Sequence, residues 1–143
     1  MAISDHILNK KTPLTDEEWL VIKQHPLYGY VMLRPIEYLK DSLDVIYCHH
    51  EKWDGSGYPQ GLKGTDIPIK ARILSIIDTF DALITERPYR KPVEFDVAIE
   101  HIRSQAGKDF DPALVEKFLA WVDSNKADIL SKYDQRSLKL EKT

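Results

Sequence analysis

The chain has 143 residues, and those best suited to chemistry are a few histidines, two carboxylates in an apolar segment and a basic turn. His49 and His50 stand side by side, followed by Glu51. Neutral imidazole is the commonest protein ligand for metals, and with carboxylate partners it suits manganese, iron or zinc. Neighbouring residues on a helix point about 100° apart, so both rings reach one ion only when it lies between their directions. The competing reading is one buried, hydrogen-bonded ring and one exposed ring. His25 precedes Pro26 and reads, on local grounds, as a ligand or as a structural histidine. Leu74, Asp78, Asp81 and Thr85 fall on one helical stripe within Ile73-Leu74-Ser75-Ile76-Ile77-Asp78-Thr79-Phe80-Asp81. Its apolar neighbours predict a largely buried helix, where a carboxylate has to be paired, hydrogen-bonded or metal-bound. For Asp78, metal ligation and a salt bridge to Lys70 or Arg87 both meet that demand. Arg87, Arg90 and Lys91 form a proline-bracketed turn. Arginine's planar fork suits phosphate, and a solvated basic turn is the alternative.

These groups need elements to hold them. Thr15-Asp16-Glu17-Glu18 has capping-box spacing and predicts a helix start, with acidic groups at the positive end of the dipole. Pro26 kinks that helix or divides it in two. A second helix is expected over 42–52 and a third over 68–86, with Pro68 in its first turn. Two more are expected over 94–106 and 112–123, the latter with Asp111 as N-cap and Pro112 at the first position. Between the second and third lies Trp53-Asp54-Gly55-Ser56-Gly57-Tyr58-Pro59-Gln60-Gly61-Leu62-Lys63-Gly64, whose four glycines and proline predict a loop. It matches neither the P-loop nor the dinucleotide-binding glycine pattern. It reads as an exposed connection or as a lid or docking loop presenting Trp53 and Tyr58. There is no strand alternation and no internal repeat, so the class is all-α, a multi-helix bundle. Residues 1–124 read as the domain and 125–143 as a charged helical tail.

Composition bounds the function. Hydrophobic residues make up 43% and charged residues 30%, enough for a core and too apolar for a disordered segment. Twenty basic and 23 acidic residues give a formal charge of −3, which argues against bulk nucleic-acid binding but leaves room for a local anion site. No apolar run approaches the roughly 18–20 residues of a membrane helix, and the N-terminus lacks a secretory pattern. The single cysteine, Cys48, cannot close an internal disulfide. It reads as a small core residue in a reducing, cytoplasmic setting.

Taken in order, His49-His50-Glu51-x-Trp53-Asp54-Gly55-x-Gly57-Tyr58-Pro59, Gly61-Leu62-x-Gly64, Ile67-Pro68, Asp78-x-Phe80-Asp81-Ala82-Leu83 and Arg87-Pro88-Tyr89-Arg90 resemble the HD-GYP signature. His25-Pro26-x-x-Gly29-Tyr30 precedes it as that family has it, and Phe110-Asp111-Pro112 closes it. The resemblance implies an all-α, HD-domain-like bundle that binds two or three metal ions, usually iron or manganese, and hydrolyses cyclic di-GMP or a related nucleotide. It implies His25, His49, His50 and Asp78 as metal ligands, and Arg87 and Arg90 as contacts to substrate phosphates. Asp81 matches a polar position beside the site. Gly57, Tyr58 and Pro59 match the loop linked to substrate and to partner proteins, such as diguanylate cyclase domains.

The eponymous His-Asp dyad of that family occurs nowhere in these 143 residues. The expectation is therefore an N-terminally truncated domain, begun at an internal methionine of a longer protein or descended as a degenerate homologue. Without the dyad's bridging carboxylate the remaining ligands hold one ion at best, and a two-metal displacement needs both. Such a chain is expected to be a poor phosphodiesterase alone. The alternative is a catalytically dead module that docks partners through the loop at Tyr58. An apolar face left uncovered by missing helices would invite a homodimer.

Overall fold

The computed structural model describes residues 3–10, 12–85 and 91–140. Among them every regular element is helical, and one isolated bridge joins Ala106 to Phe110. No helix among the described residues is long and apolar enough to cross a membrane.

A short helix, α1 (Asp5–Leu8), precedes α2 (Asp16–Ile22). Thr15 starts α2 through a complete capping box: the Thr15 N–H donates to Glu18 Oε2 at 2.7 Å, and the Glu18 N–H donates to Thr15 Oγ1 at 3.3 Å. Glu18 also accepts from Lys10 Nζ at 2.5 Å, tying the preceding segment to the helix. Pro26 divides the helical run, as its missing N–H requires. The second piece is α3 (His25–Leu33), with the buried Pro26 in its first turn.

A 3₁₀ turn over Glu37–Ser42 leads into α4 (Leu43–Cys48). The sequence predicted a helix over 42–52, so α4 ends four residues early. The chain turns at His49, which caps α4, and the buried Glu51 carboxylate then faces the following loop. The long helix α5 (Ile69–Ile84) follows the loop, then α6 (Phe95–Ser104) and α7 (Pro112–Leu140). The last continues well beyond the 112–123 expected.

The chain forms two compact units, Met1–Ser75 and Ile76–Thr143. In the first, α3 packs on α4 and α4 on the 3₁₀ turn. The reason α3 and α4 approach closely is Gly29: a Cβ there would lie 3.0 Å from Ile46 Cγ2. A small core of Cys48, Ile67 and Ala71, flanked by Tyr47 and Leu62, seals this unit. In the second, Ile76, Phe80, Ala98, Ile102, Phe110, Val115, Val122 and Ile129 form a contiguous core. Phe80 meets Phe95 and Phe118 edge-on, at 5.6 and 5.3 Å between ring centroids. Asp111 caps α7 as expected, its Oδ1 accepting the Ala113 N–H at 2.9 Å.

The expectation of a largely buried α5 is corrected. Ile69, Ile73, Leu74 and Ile77 are exposed, whereas Ala71, Ile76 and Phe80 are buried. High apolar content along a helix does not place every apolar side chain in a core.

Candidate metal centre

The first turn of α3 and the C-terminus of α4 bring three imidazoles together. His25, His49 and His50 each offer a ring nitrogen, and these atoms lie within 4.8 Å of one another. The ring centroids are 5.2 Å apart for His25 and His49, 4.8 Å for His25 and His50, and 4.1 Å for His49 and His50. The adjacent pair sits just past the end of α4, with His49 as the cap residue and His50 in the turn that follows, so the two rings are not held to helical spacing. Both rings are half-buried and both stand against His25, unlike the competing reading of one buried and one exposed ring.

The backbone sets the ring orientation. His25 Nδ1–H donates to the Ile22 carbonyl at 2.7 Å, and His49 Nδ1–H donates to the Ile46 carbonyl at 2.7 Å. That tautomer leaves a lone pair on each Nε2. The two Nε2 atoms nevertheless stand 3.2 Å apart, and His50 Nε2 stands 3.1 Å from His25 Nε2. Facing lone pairs repel unless a proton or a cation lies between them. Metal–nitrogen bonds of about 2.1 Å put two ligating nitrogens roughly 3.0 Å apart at octahedral angles and roughly 3.4 Å apart at tetrahedral ones. The two spacings from His25 fall between these values, as expected for His25 sharing a first-row divalent ion with either partner.

The electrostatics of His50 agree with a neutral ligand. Burial pushes the His50 imidazole down to about 4, with the neighbouring His49 and His25 acting in the same direction. Desolvation disfavours the protonated ring. Burial also pushes the Tyr58 hydroxyl up.

The glycine-rich loop closes over one side. The Tyr58 ring stacks on His50 at 4.8 Å and 27°. The Tyr58 N–H donates to the His50 carbonyl at 3.2 Å. This approach requires Gly57: a Cβ there would lie 2.3 Å from Lys52 N and 2.5 Å from both Glu51 Cα and the His50 carbonyl oxygen. The loop is fastened by Glu51, whose Oε1 accepts the Gln60 N–H at 2.7 Å and whose Oε2 accepts the Leu62 N–H at 2.9 Å. The Tyr58–Pro59 peptide between them is cis.

A family model described as an HD domain matches residues 2–114. This chain belongs to the HD-domain family. Its ordered motifs from His25 to Pro112 place it in the HD-GYP branch. A cyclic di-GMP phosphodiesterase of Thermotoga maritima is 42% identical over 123 residues, covering 83% of this chain and 33% of that protein. A 3'3'-cGAMP-specific phosphodiesterase of Vibrio cholerae is 41% identical over 121 residues, covering 83% of this chain and 23% of that one. A crystal structure of a cyclic GMP-AMP specific phosphodiesterase of Vibrio cholerae shares the fold, with a TM-score of 0.61 at 22% identity over 86% of this chain and 32% of that chain. The chain thus spans about a third or less of the length of these relatives.

Of the HD-GYP positions expected from the sequence, His25, His49, His50, Gly57, Tyr58 and Pro59 come together in the first unit. Asp78 and Asp81 belong to the second. There Asp78 is exposed on α5, and Asp81 is half-buried, its carbonyl accepting the Thr85 hydroxyl at 2.6 Å. The exposure of Asp78 corrects the expectation of a carboxylate at the edge of a core. Arg87 and Arg90 lie outside the described residues. The structural roles of two motif positions, Gly29 and Glu51, go unread in the sequence. Gly29 sits one turn after His25 and sets the α3–α4 crossing; a glycine inside a helical run is its signal. Glu51 appears in the sequence only as the residue after the histidine pair, and its carboxylate holds the loop.

Proposed function

We propose that this chain supplies the histidine-rich part of a metal-dependent phosphodiesterase acting on cyclic di-GMP or a related cyclic dinucleotide. The observation that carries the reading is the convergence of three Nε2 atoms whose rings are fixed from behind by backbone carbonyls. The named activities of the HD-GYP relatives supply the substrate class.

His25, His49 and His50 hold the ion, and the family pattern adds Asp78 as a carboxylate ligand. A bound divalent ion supplies Lewis-acid polarisation of a phosphoryl oxygen and lowers the pKa of water. Iron and manganese suit this donor set. Tyr58 covers His50 and narrows access of water to that ring. Arg87 and Arg90 bind substrate phosphates, with the planar fork matching two oxygens at once. Asp81 orients polar groups beside the site. The engagement of the Tyr58 ring with His50 supports a role at the site over that of a docking handle for a diguanylate cyclase domain. A lone cysteine buried in the core suits the cytoplasm, where cyclic dinucleotides are turned over.

A two-metal displacement needs a bridging carboxylate as well as imidazoles. The chain carries no His-Asp dipeptide, and we expect one ion at most and no efficient turnover from the chain alone. The test is to load it with manganese or iron, desalt it, and count metal by mass spectrometry. One equivalent is expected, lost in His25→Ala and in His49→Ala and weakened in Asp78→Ala. No metal in the wild-type chain would refute the site. Two equivalents, or rapid hydrolysis of cyclic di-GMP, would refute its incompleteness.

A further inference from the structure

Tyr58 has a second neighbour that the metal centre does not explain. The Lys23 ammonium stands over the Tyr58 ring, 5.7 Å from its centroid, while His50 stacks on the same ring at 4.8 Å. Lys23 is the cap residue of α2 and comes two residues before His25. Its N–H donates to the Trp19 carbonyl at 2.9 Å, which fixes where its side chain departs. The residue is exposed, yet among the described residues no carboxylate pairs with it. Its charge therefore lies against the ring that covers His50, one of three imidazoles suited to a divalent cation, with no carboxylate among the described residues to neutralise it.

Like charges gathered this way are unfavourable in an isolated protein and favourable around an anion. A phosphodiester has two non-bridging oxygens sharing one negative charge. One oxygen faces the metal side, and the other is left for a cationic donor. Lysine is a compact point charge with three rotatable donors and accommodates such an oxygen without a fixed angle. We infer that Lys23 is a substrate contact whose ammonium donates to a non-bridging oxygen of the cyclic dinucleotide phosphodiester. The Tyr58 ring holds the lysine side chain in place for it. This inference rests on the metal-site reading above and adds to it a residue outside the motifs that carry the family resemblance.

The experiment compares wild-type, Lys23→Met and Lys23→Arg chains loaded with manganese. Metal content is measured first, and cyclic di-GMP affinity then follows by calorimetry at low and high salt. Methionine keeps an unbranched side chain over Tyr58 and removes the charge. Lys23→Met should keep its manganese, bind cyclic di-GMP roughly tenfold more weakly, and show a shallower salt dependence. Lys23→Arg should recover most of the affinity. Wild-type affinity in Lys23→Met would overturn the inference. So would a loss of metal in that variant that accounts for the lost affinity, because the role would then be structural. A wild-type chain that holds manganese without binding cyclic di-GMP overturns the contact and leaves the metal centre standing. A wild-type chain that takes no manganese overturns both.

Discussion

Glu51 is a carboxylate with only 3% of its surface exposed, and both its oxygens are engaged by loop N–H groups, those of Gln60 and Leu62. Replacing it with glutamine keeps the shape and turns one acceptor into a donor. One loop N–H then faces another N–H in a buried place, at a cost of about 1–3 kcal/mol. Urea unfolding of Glu51→Gln should show a midpoint lowered to match, with manganese bound more weakly because the loop over His50 is loosened. Cys48 is set apart by burial alone. It is 4% exposed, and burial, with Glu51 and Asp44 as lesser causes, pushes its thiol up to about 11. At pH 8 only about one thiol in a thousand is then ionised, so an aromatic disulfide reagent should label Cys48 far more slowly in the native chain than in urea. The sign of the stability effect follows. Between the ordinary value of 9.0 and about 11, the unfolded chain loses this proton and the folded chain keeps it, so stability falls as pH rises through that window. In Cys48→Ala this fall should be reduced in pH-dependent unfolding.

At the scale of elements, the centre depends on how closely α3 lies on α4. Gly29 is the point of contact, with Ile46 Cγ2 at 3.0 Å from where a Cβ would be. Gly29→Val adds a branched side chain there, forces the two helices apart and moves His25 away from His49. Manganese affinity should drop at least tenfold although no ligand is changed, and Ile46→Ala in the same chain should restore part of it, a coupling that a double-mutant cycle reads directly. Gly57→Ala is a harsher change, because the atoms a Cβ would meet are backbone and cannot swing aside. These contacts also explain what was legible in the sequence. The Thr15 capping box, the break at Pro26 and the Asp111 cap are local, set by residues within one turn, and all three are found. The early end of α4 depends on Glu51 reaching nine and eleven residues ahead, which no local signal carries. The exposed side of α5 depends on which face finds a partner, and apolar content alone is silent on that. The histidines were recognisable only through the ordered family motif, since spacing by itself left His25 and the His49–His50 pair open.

For the molecule as a whole, the division into two units separates the imidazoles from the larger core. His25, His49 and His50 lie in Met1–Ser75, whose buried core is Cys48, Ile67 and Ala71 with Tyr47 and Leu62 beside it. The second unit has eight buried apolar residues packed together, including three from α7. Stability within a protein is not uniform, and segments with few buried contacts open at lower free energy. A ligand that binds only the folded state stabilises by mass action, about 2.7 kcal/mol at a hundredfold excess over its dissociation constant. With the proposed metal site, that gain is expected in the segments that carry His25, His49 and His50. Hydrogen exchange with and without manganese should therefore show slower exchange in peptides covering α3, α4 and the loop from Glu51 to Leu62. Peptides from the core of α6 and from α7 around Val115 and Val122 should be slow already and change little. In His49→Ala the manganese effect should vanish while the protection of Val115 and Val122 remains, because that core contains no part of the imidazole cluster. Equal protection of every peptide on adding manganese would mean that the chain opens as one cooperative body, and the small core around Cys48 would then not be the part that the ion stabilises.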